Sequence, residues 1–423
     1  MDLYVLIPLG VLVLTIISYV IWYIYMMSQM REYSQDAVLL EVILEKDTET
    51  NHLSVEQMWS SFYSGLYIPW HKRPFKPQPH ITFEIKSEHT ASDAKKEITF
   101  NFWVPAQYES LIKQRILGLY SKAQIRSLDP HTEDYIPGPE DQLRVIETAE
   151  LGLRDDSAFA IKLFKDFEAD PLSSITSAMT QQDNKEIAVI QMVMRPIAPS
   201  WLRKAERTLI KYEKSGRKPG KVPEWLNFVS FFFIGIFKIL QGILDTMFGS
   251  KVPESKLDVS NSSLDKNKQK EMLEKVTRNP FAFQVRILVG SPLGSEVAKE
   301  KVRNIIASFK ELDGPNNGFE KEFILNKKKT YHRMKHRHFS ITNHDDVLTA
   351  VELAGFAHLP NKTNTTPGLK KIQSKRTEVP PDMAEENAFA YAMDMHGNER
   401  RVGLDLNGRM RHVYVSGMTG VGK

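Results

Sequence analysis

Apolar and polar residues alternate at Ile81, Phe83 and Ile85 and again at Ile98, Phe100 and Phe102, a period of two that places each set on one face of a strand. The polar stretch 87–96 between them predicts a turn, so the two runs read as neighbouring antiparallel strands. Upstream, 39–44 is a short apolar strand, and Ser54 with Gln57 makes a capping box for a helix running to about Gly65. Residues 68–79 carry four prolines and are irregular. Pro105 suits the first position of a helix to about Tyr120, and 123–126 is long enough for a closing strand. The order β-α-β-β-α-β predicts a ferredoxin-like antiparallel sheet with two helices on one face, spanning 31–133.

The Pro, Gly and acidic residues of 134–141 mark a boundary. Beyond it the pattern predicts strands at 143–150 and 158–164, then a helix with Asp170 as N-cap and Pro171 as first residue, ending near Thr180. A strongly apolar strand follows at 186–194, and from Ser200 a helix carries Arg203, Lys204, Arg207, Lys211 and Lys214. Strand-then-helix recurs at 281–290 and from Ser295 to about Leu312, with another strand at 319–325 and a helix capped by Asn343 through about Gly355. These elements predict a second α+β domain over 140–360, interrupted by an apolar insertion at about 222–248 and a Ser/Asn/Lys linker at 249–270. The insertion reads as an in-plane or re-entrant membrane segment, with a true span and a buried helix as alternatives. A second linker, 361–385, leads to a hairpin built from 389–393 and 401–406.

Between Leu3 and Met30 no residue is charged, and an apolar run of this length exceeds the roughly 20 residues that cross a bilayer as a helix. No basic residues precede it and no small-residue cleavage site follows, so 1–30 is expected to be a retained transmembrane anchor. The other bulk properties change little. With 42% apolar and 26% charged residues, the 423-residue chain has material for ordinary globular cores, and a net charge of +4 is too small to name a partner. The absence of cysteine excludes disulfides and thiolate metal sites.

Two stretches carry candidate chemistry. The first is 327–338, the densest positive run, where Lys327, Lys328, Lys329, Arg333, Lys335 and Arg337 are candidate contacts for nucleic acid or lipid phosphates, a solvated basic loop being the plainer alternative. His332 and His336 would share a helix face, but the surrounding cations and the lack of a nearby carboxylate speak against a metal. The second is the end of the chain, where the apolar strand Val413, Tyr414, Val415 runs into Gly417, Met418, Thr419, Gly420, Val421, Gly422 and Lys423. A glycine-rich turn after a buried strand, followed by Lys, is the phosphate-binding loop of nucleotide enzymes, whose backbone N–H groups surround phosphate oxygens. The metal-binding hydroxyl would be the following residue, and the acidic metal ligand would lie further on, so this stretch of chain is expected to lack ATPase activity by itself.

Taken together, the N-terminal apolar run, the segment Ala354 to Pro360 with Thr366, Pro367 and Gly368, the late hairpin, and Arg411 and His412 leading into the glycine loop resemble the membrane-anchored coupling ATPases of type IV secretion and conjugation. These are relatives of the HerA/FtsK DNA pumps. Met418 stands where Lys, Gln or Ser is more usual. The resemblance implies an α+β fold class consisting of a transmembrane helix, a ferredoxin-like domain, the interrupted second α+β domain and, in 386–423, the start of an α/β P-loop domain. It assigns phosphate binding to Gly417, Thr419, Gly420, Val421, Gly422 and Lys423, with ATP and Mg2+ as cofactors of the intact motor. It further implies a homo-hexameric ring, DNA or a DNA–protein complex as substrate, membrane lipid and secretion-system membrane components as partners, and a single-pass placement in the bacterial inner membrane with the bulk cytoplasmic. A non-enzymatic membrane-attached scaffold, or an ATPase acting on something other than DNA, are the alternatives.

Overall fold

The computed structural model of the chain describes residues 17–18, 20–22, 24–26, 28–29, 32–49, 51–69, 71–73, 75–90, 95–130, 135–137, 145–180, 185–215, 218, 274–275, 277–324, 326–339, 346–372, 388–393, 399–404 and 410. Ten strands form one sheet: β1 (Ala37–Glu45), β2 (Ile81–Thr90), β3 (Lys95–Pro105), β4 (Gln124–Leu128), β5 (Val145–Leu153), β6 (Ile187–Pro196), β7 (Pro280–Ser291), β8 (Phe319–Lys321), β9 (Val347–Thr349) and β10 (Lys371–Ile372). A separate hairpin joins β11 (Ala388–Met393) to β12 (Glu399–Gly403). Helices with described bounds include α1 (His52–Leu66), α2 (Glu109–Leu119), α3 (Pro171–Thr180), α4 (Ser200–Ser215), α5 (Ser295–Ser308), α6 (Lys327–Lys335) and the single turn α7 (Ala350–Leu353).

The strand order is β10-β1-β3-β2-β6-β7-β5-β8, with β4 beside β1 and β9 beside β7. Within it the order β4-β1-β3-β2 with α1 and α2 is a β-α-β-β-α-β unit, and β5-α3-β6-β7-α5-β8 repeats it with order β6-β7-β5-β8. The second strand of each unit meets its counterpart: β2 and β6 pair antiparallel from Ile81↔Met194 to Glu88↔Ile187. This corrects the expected fold class of separate α+β domains joined in series. Each unit alone would end in a long edge strand whose unpaired N–H and C=O groups invite other chains, and pairing the two edges removes both at once. The loop composition near 134–141 marks where one unit ends, but it carries no information about an edge that is completed across it.

Even-numbered residues of β1, β3 and β6 and odd-numbered residues of β2, β5 and β7 face the helices. There Phe83, Phe102, Ile190, Phe283 and Ile287 join Trp59 and Phe62 of α1, Ile112 of α2, Ile175 of α3 and Ile305 of α5 in one core. All 12 residues of β7 are buried, because the opposite face is covered as well, by α6 and the residues after it. Continuous burial replaces the alternation of a one-sided sheet.

Several local expectations change. Residues 158–164 do not form a strand: Phe159 and Ile161 are buried, yet their backbone groups are met by side chains, the Phe159 carbonyl accepting from Asn317 Nδ2 at 3.1 Å and Lys275 Nζ at 3.1 Å, and the Ile161 N–H donating to Glu352 at 3.1 Å. Asn51, rather than Ser54, caps α1, accepting from Leu53 N at 3.1 Å. Within the linker expected at 361–385, Lys362 N donates to the Thr48 carbonyl at 2.7 Å, and Lys371 and Ile372 add β10 parallel to Leu44 and Glu45. Where a helix through Gly355 is expected, 347–349 is strand β9 and only α7 is helical.

Among the described residues no helix is long and apolar enough to cross a membrane. This overturns the expected N-terminal transmembrane helix and the single-pass placement in the bacterial inner membrane that rested on it. An apolar window is a necessary condition for a span, but a span also needs a helix of about 20 apolar residues, which the described residues do not supply. The insertion at 222–248 lies outside the described residues.

Candidate functional site

On the second face of the sheet, β2, β6 and β7 present Glu84, Gln191 and Arg286 in a row beneath α6. All three are 0% exposed. Gln191 ties the row together: its Nε2 donates to Glu84 Oε1 at 2.9 Å and to the Met334 carbonyl at 3.1 Å, and its Oε1 accepts from Arg286 Nη1 at 3.1 Å. Arg286 also donates to the carbonyls of Arg333 at 3.1 Å and His338 at 2.6 Å, and to Gln284 Oε1 at 2.6 Å. Burial pulls its pKa down to about 9, which leaves the guanidinium charged at neutral pH. Thus the sheet contributes side chains, and the end of α6 contributes the Arg333 and Met334 carbonyls, whose second lone pairs accept from them.

Arg337 closes this seam. Its backbone has φ +52°, the left-handed conformation at the residue after a helix end that glycine usually takes. The bonds from His338 N to the Arg333 carbonyl, 3.0 Å, and from Arg337 N to the Met334 carbonyl, 3.2 Å, complete a Schellman cap on α6. An arginine tolerates the strained position because its side chain is gripped: Nε and Nη2 donate to the two Glu84 oxygens at 2.9 and 3.3 Å, and Nη1 donates to the Pro130 carbonyl at 3.1 Å. His80 Nε2 donates to the Arg337 carbonyl at 2.6 Å, and its ring stacks on Trp103 with centroids 5.0 Å apart. Burial, working against the Arg337 carbonyl, pushes His80 down to about 3. For Glu84, burial acts to raise the pKa, but the Arg337 charge and the bonds to it prevail and hold the carboxyl below its ordinary value.

The basic run nominated from sequence is therefore divided by the fold. Lys327 pairs with Glu147 at 2.6 Å, Arg333 with Glu150 at 2.6 Å, and Arg337 with Glu84, all on the sheet side. Lys328, Lys329 and Lys335 are exposed on the outer side of α6. His332 and His336 do stack, 6.5 Å apart, but among the described residues no group of three His, Cys, Asp or Glu side chains is placed to hold a metal ion. Spacing alone could not reveal the division, since the carboxylates that select among the cations come from two distant strands, β2 and β5.

A second polar cluster lies on the helix face. His358 Nε2 stands 3.2 Å from Asp170 Oδ1, and its Nδ1 is 2.9 Å from the Leu359 carbonyl. Burial works to lower the His358 pKa, but the Asp170 hydrogen bond and charge outweigh it and raise the value above ordinary. Asp170 is also bound, by the Leu172 N–H at 2.9 Å, to the start of α3. The His52 ring is 5.1 Å from that of His358, its Nδ1 meets the Ala354 carbonyl at 3.1 Å, and burial lowers its pKa. Close by, Lys275 and Glu352 form a buried ion pair at 3.0 Å, both 0% exposed, with Glu352 also accepting from Thr349 N at 2.9 Å. Asp170, His358, His52, Lys275 and Glu352 are each hydrogen-bonded to a backbone group, so this cluster ties loops to α3 and α7.

The third feature is α4. Trp201, Leu202, Ala205 and Leu209 pack one side of it against Ala158, and Tyr212 meets the Phe159 ring edge-on at 5.1 Å. The opposite side shows Arg203, Lys204, Arg207 and Lys211, all exposed, which with Ser200 and Thr208 line one open concavity. The phosphate-loop residues Gly417, Thr419, Gly420, Val421, Gly422 and Lys423 lie outside the described residues.

A family model described as a domain of unknown function, DUF8128, matches residues 56–371, which begins inside α1 and ends at the first residue of β10. The match covers the second unit, the first unit from inside α1 onward without β1, and the β2–β6 seam, and the chain belongs to this family. No curated protein matches the chain.

Proposed function

We propose that this member of the DUF8128 family is the platform region of a P-loop ATPase of the DNA-transfer kind. The fused ten-stranded sheet docks and supports a motor that begins with Gly417 to Lys423. The observation carrying the reading is that the ionisable clusters within 37–372, Glu84 with Arg337, Asp170 with His358 and Glu352 with Lys275, are engaged in holding the fold. A region whose charges are so engaged contributes surface and rigidity, and chemistry must come from elsewhere in the protein. The elsewhere is supplied by the glycine loop after an apolar strand, where Lys423 would neutralise charge on the outer phosphates of ATP and Mg2+ would be held by residues further along. A hexameric ring with DNA or a DNA–protein complex as substrate, working alongside other secretion-system components, completes the proposal.

The same observation favours a second reading, a binding or scaffold module with no enzymatic part. Reading the coding sequence past Lys423 separates the two: the first requires Ser or Thr next, then a helix, then an acidic strand. In a protein carrying that continuation, a fluorescent ATP analogue is expected to bind in the presence of Mg2+ and to lose binding on Lys423→Ala. A stop codon or unrelated sequence there leaves only the scaffold.

A further inference from the structure

We infer that the outer face of α4 is a binding surface for the phosphodiester backbone of a nucleic acid. Arg203, Arg207 and Lys211 recur every four residues, so their Cα atoms rise about 6 Å apiece along one side of the helix. The resulting row is about 12 Å long. Duplex DNA carries a charge about every 1.7 Å of its axis, so such a row lies along several phosphates at once. Lys204 flanks the row, and Ser200 and Thr208 supply hydroxyls within the same concavity. Arg203 and Arg207 bring planar guanidinium forks that match phosphate oxygens in pairs, which a lysine cannot do.

The cations are held outward by the packing of the helix's other side. Trp201, Leu202, Ala205 and Leu209 face the protein, and among the described residues no large apolar side chain of 200–215 is exposed. The acidic residue Glu206 sits on the flank rather than in the row. Arg203, Arg207 and Lys211 have no carboxylate partner among the described residues, in contrast to Lys327, Arg333 and Arg337 on α6. Since the apolar side is already committed, α4 has nothing to insert among acyl chains, as a lipid-surface helix requires. A protein partner would need an apolar centre to its interface, and the row has none. A polyanion of regular charge spacing fits both facts.

The inference takes its partner class in line with the DNA-transfer reading, though the surface stands on α4 alone. It is tested with the whole chain by fluorescence anisotropy on a labelled 30-base-pair DNA duplex and on single-stranded DNA of equal length, between 50 and 200 mM salt. Binding that falls with salt is expected. Replacing Arg203, Arg207 and Lys211 together by Gln should reduce the log–log salt slope by about 0.9 for each cation and weaken binding at 100 mM at least tenfold. Neutralising Lys328, Lys329 and Lys335 on α6 in the same way should leave most of the affinity in place, and both variants should melt with the wild type because every changed side chain is exposed. No binding at 50 mM salt, equal losses from the two variants, or binding only to anionic vesicles and not to DNA would each overturn the inference. Failure of the reading frame past Lys423 to continue a motor would not, if the α4 variant still loses DNA.

Discussion

Glu84 on β2 and Arg337 just after α6 are 253 positions apart in the chain and share a two-pronged ion pair on the second face of the sheet. The pair is almost wholly enclosed, with side chains 0% and 2% exposed. It fastens the cover helix to the seam strand, and it does so at a residue whose backbone would otherwise favour glycine.

Removing either charge leaves the other buried without its partner, so Glu84→Leu and Arg337→Met are each expected to destabilise by about 3–5 kcal/mol. The double variant should cost less than the sum by about 2 kcal/mol or more, as the stranded charge is gone. Arg337→Gly should be less harmful than Arg337→Met by about 1 kcal/mol, because glycine relieves the left-handed backbone. Urea titration of the wild type and these four variants checks this, and simple additivity would mean the pair does not act as a unit.

His80 is held neutral by burial, with a folded pKa of about 3. The unfolded chain takes up a proton near pH 6.5, the folded chain does not, and so stability falls as pH drops from about 6.5 toward 3. At pH 5 the loss from this one site is about 2 kcal/mol. Glu84, whose folded pKa is depressed, adds its own loss only below about pH 4.5, where the unfolded carboxyl protonates. Unfolding free energy measured from pH 7.5 to 5 should therefore slope downward in the wild type and flatten in His80→Gln. A slope unchanged by that substitution would assign the acid sensitivity to another group.

The β2 to β6 seam predicts that the two β-α-β-β-α-β units unfold together. Trp59 and Trp103, both buried in the first unit, report on it by fluorescence once Trp22, Trp70, Trp201 and Trp225 are replaced by Phe, while circular dichroism averages over both units. The two guanidinium curves should coincide. Ile190 pairs with Ile85 across the seam, and Ile190→Pro, which deletes a donor in a central strand, should lower the midpoint of both signals equally. Separate transitions would show that the seam is a contact between independent domains.

The period-two runs at 81–85 and 98–102, the apolar run at 186–194 and the Asp170-Pro171 helix start were all legible in the chain, because each depends on neighbours a few residues away. The strand at 158–164 was misread because its apolar residues are buried by a loop that Asn317, Lys275 and Glu352 satisfy from more than 100 positions distant. The apolar N-terminal run misled in a different way: hydropathy measures the readiness of residues to leave water, and does not decide what helix receives them.

For the candidate sites, the sequence by itself determined where cations are dense and where glycines recur after an apolar run. Which cations face outward was settled only in three dimensions. On α6 the strands beneath supply Glu84, Glu147 and Glu150, which draw Arg337 and Arg333 inward and pair with Lys327 while it stays exposed; on α4 the apolar side is taken by Ala158 and Phe159, and Arg203, Arg207 and Lys211 are left facing water. A charge in a sequence is a local fact. Whether it is used for holding the fold or left for a partner depends on an opposite charge that the fold alone brings near, and in this chain β2 supplies it to Arg337 and β5 to Lys327 and Arg333.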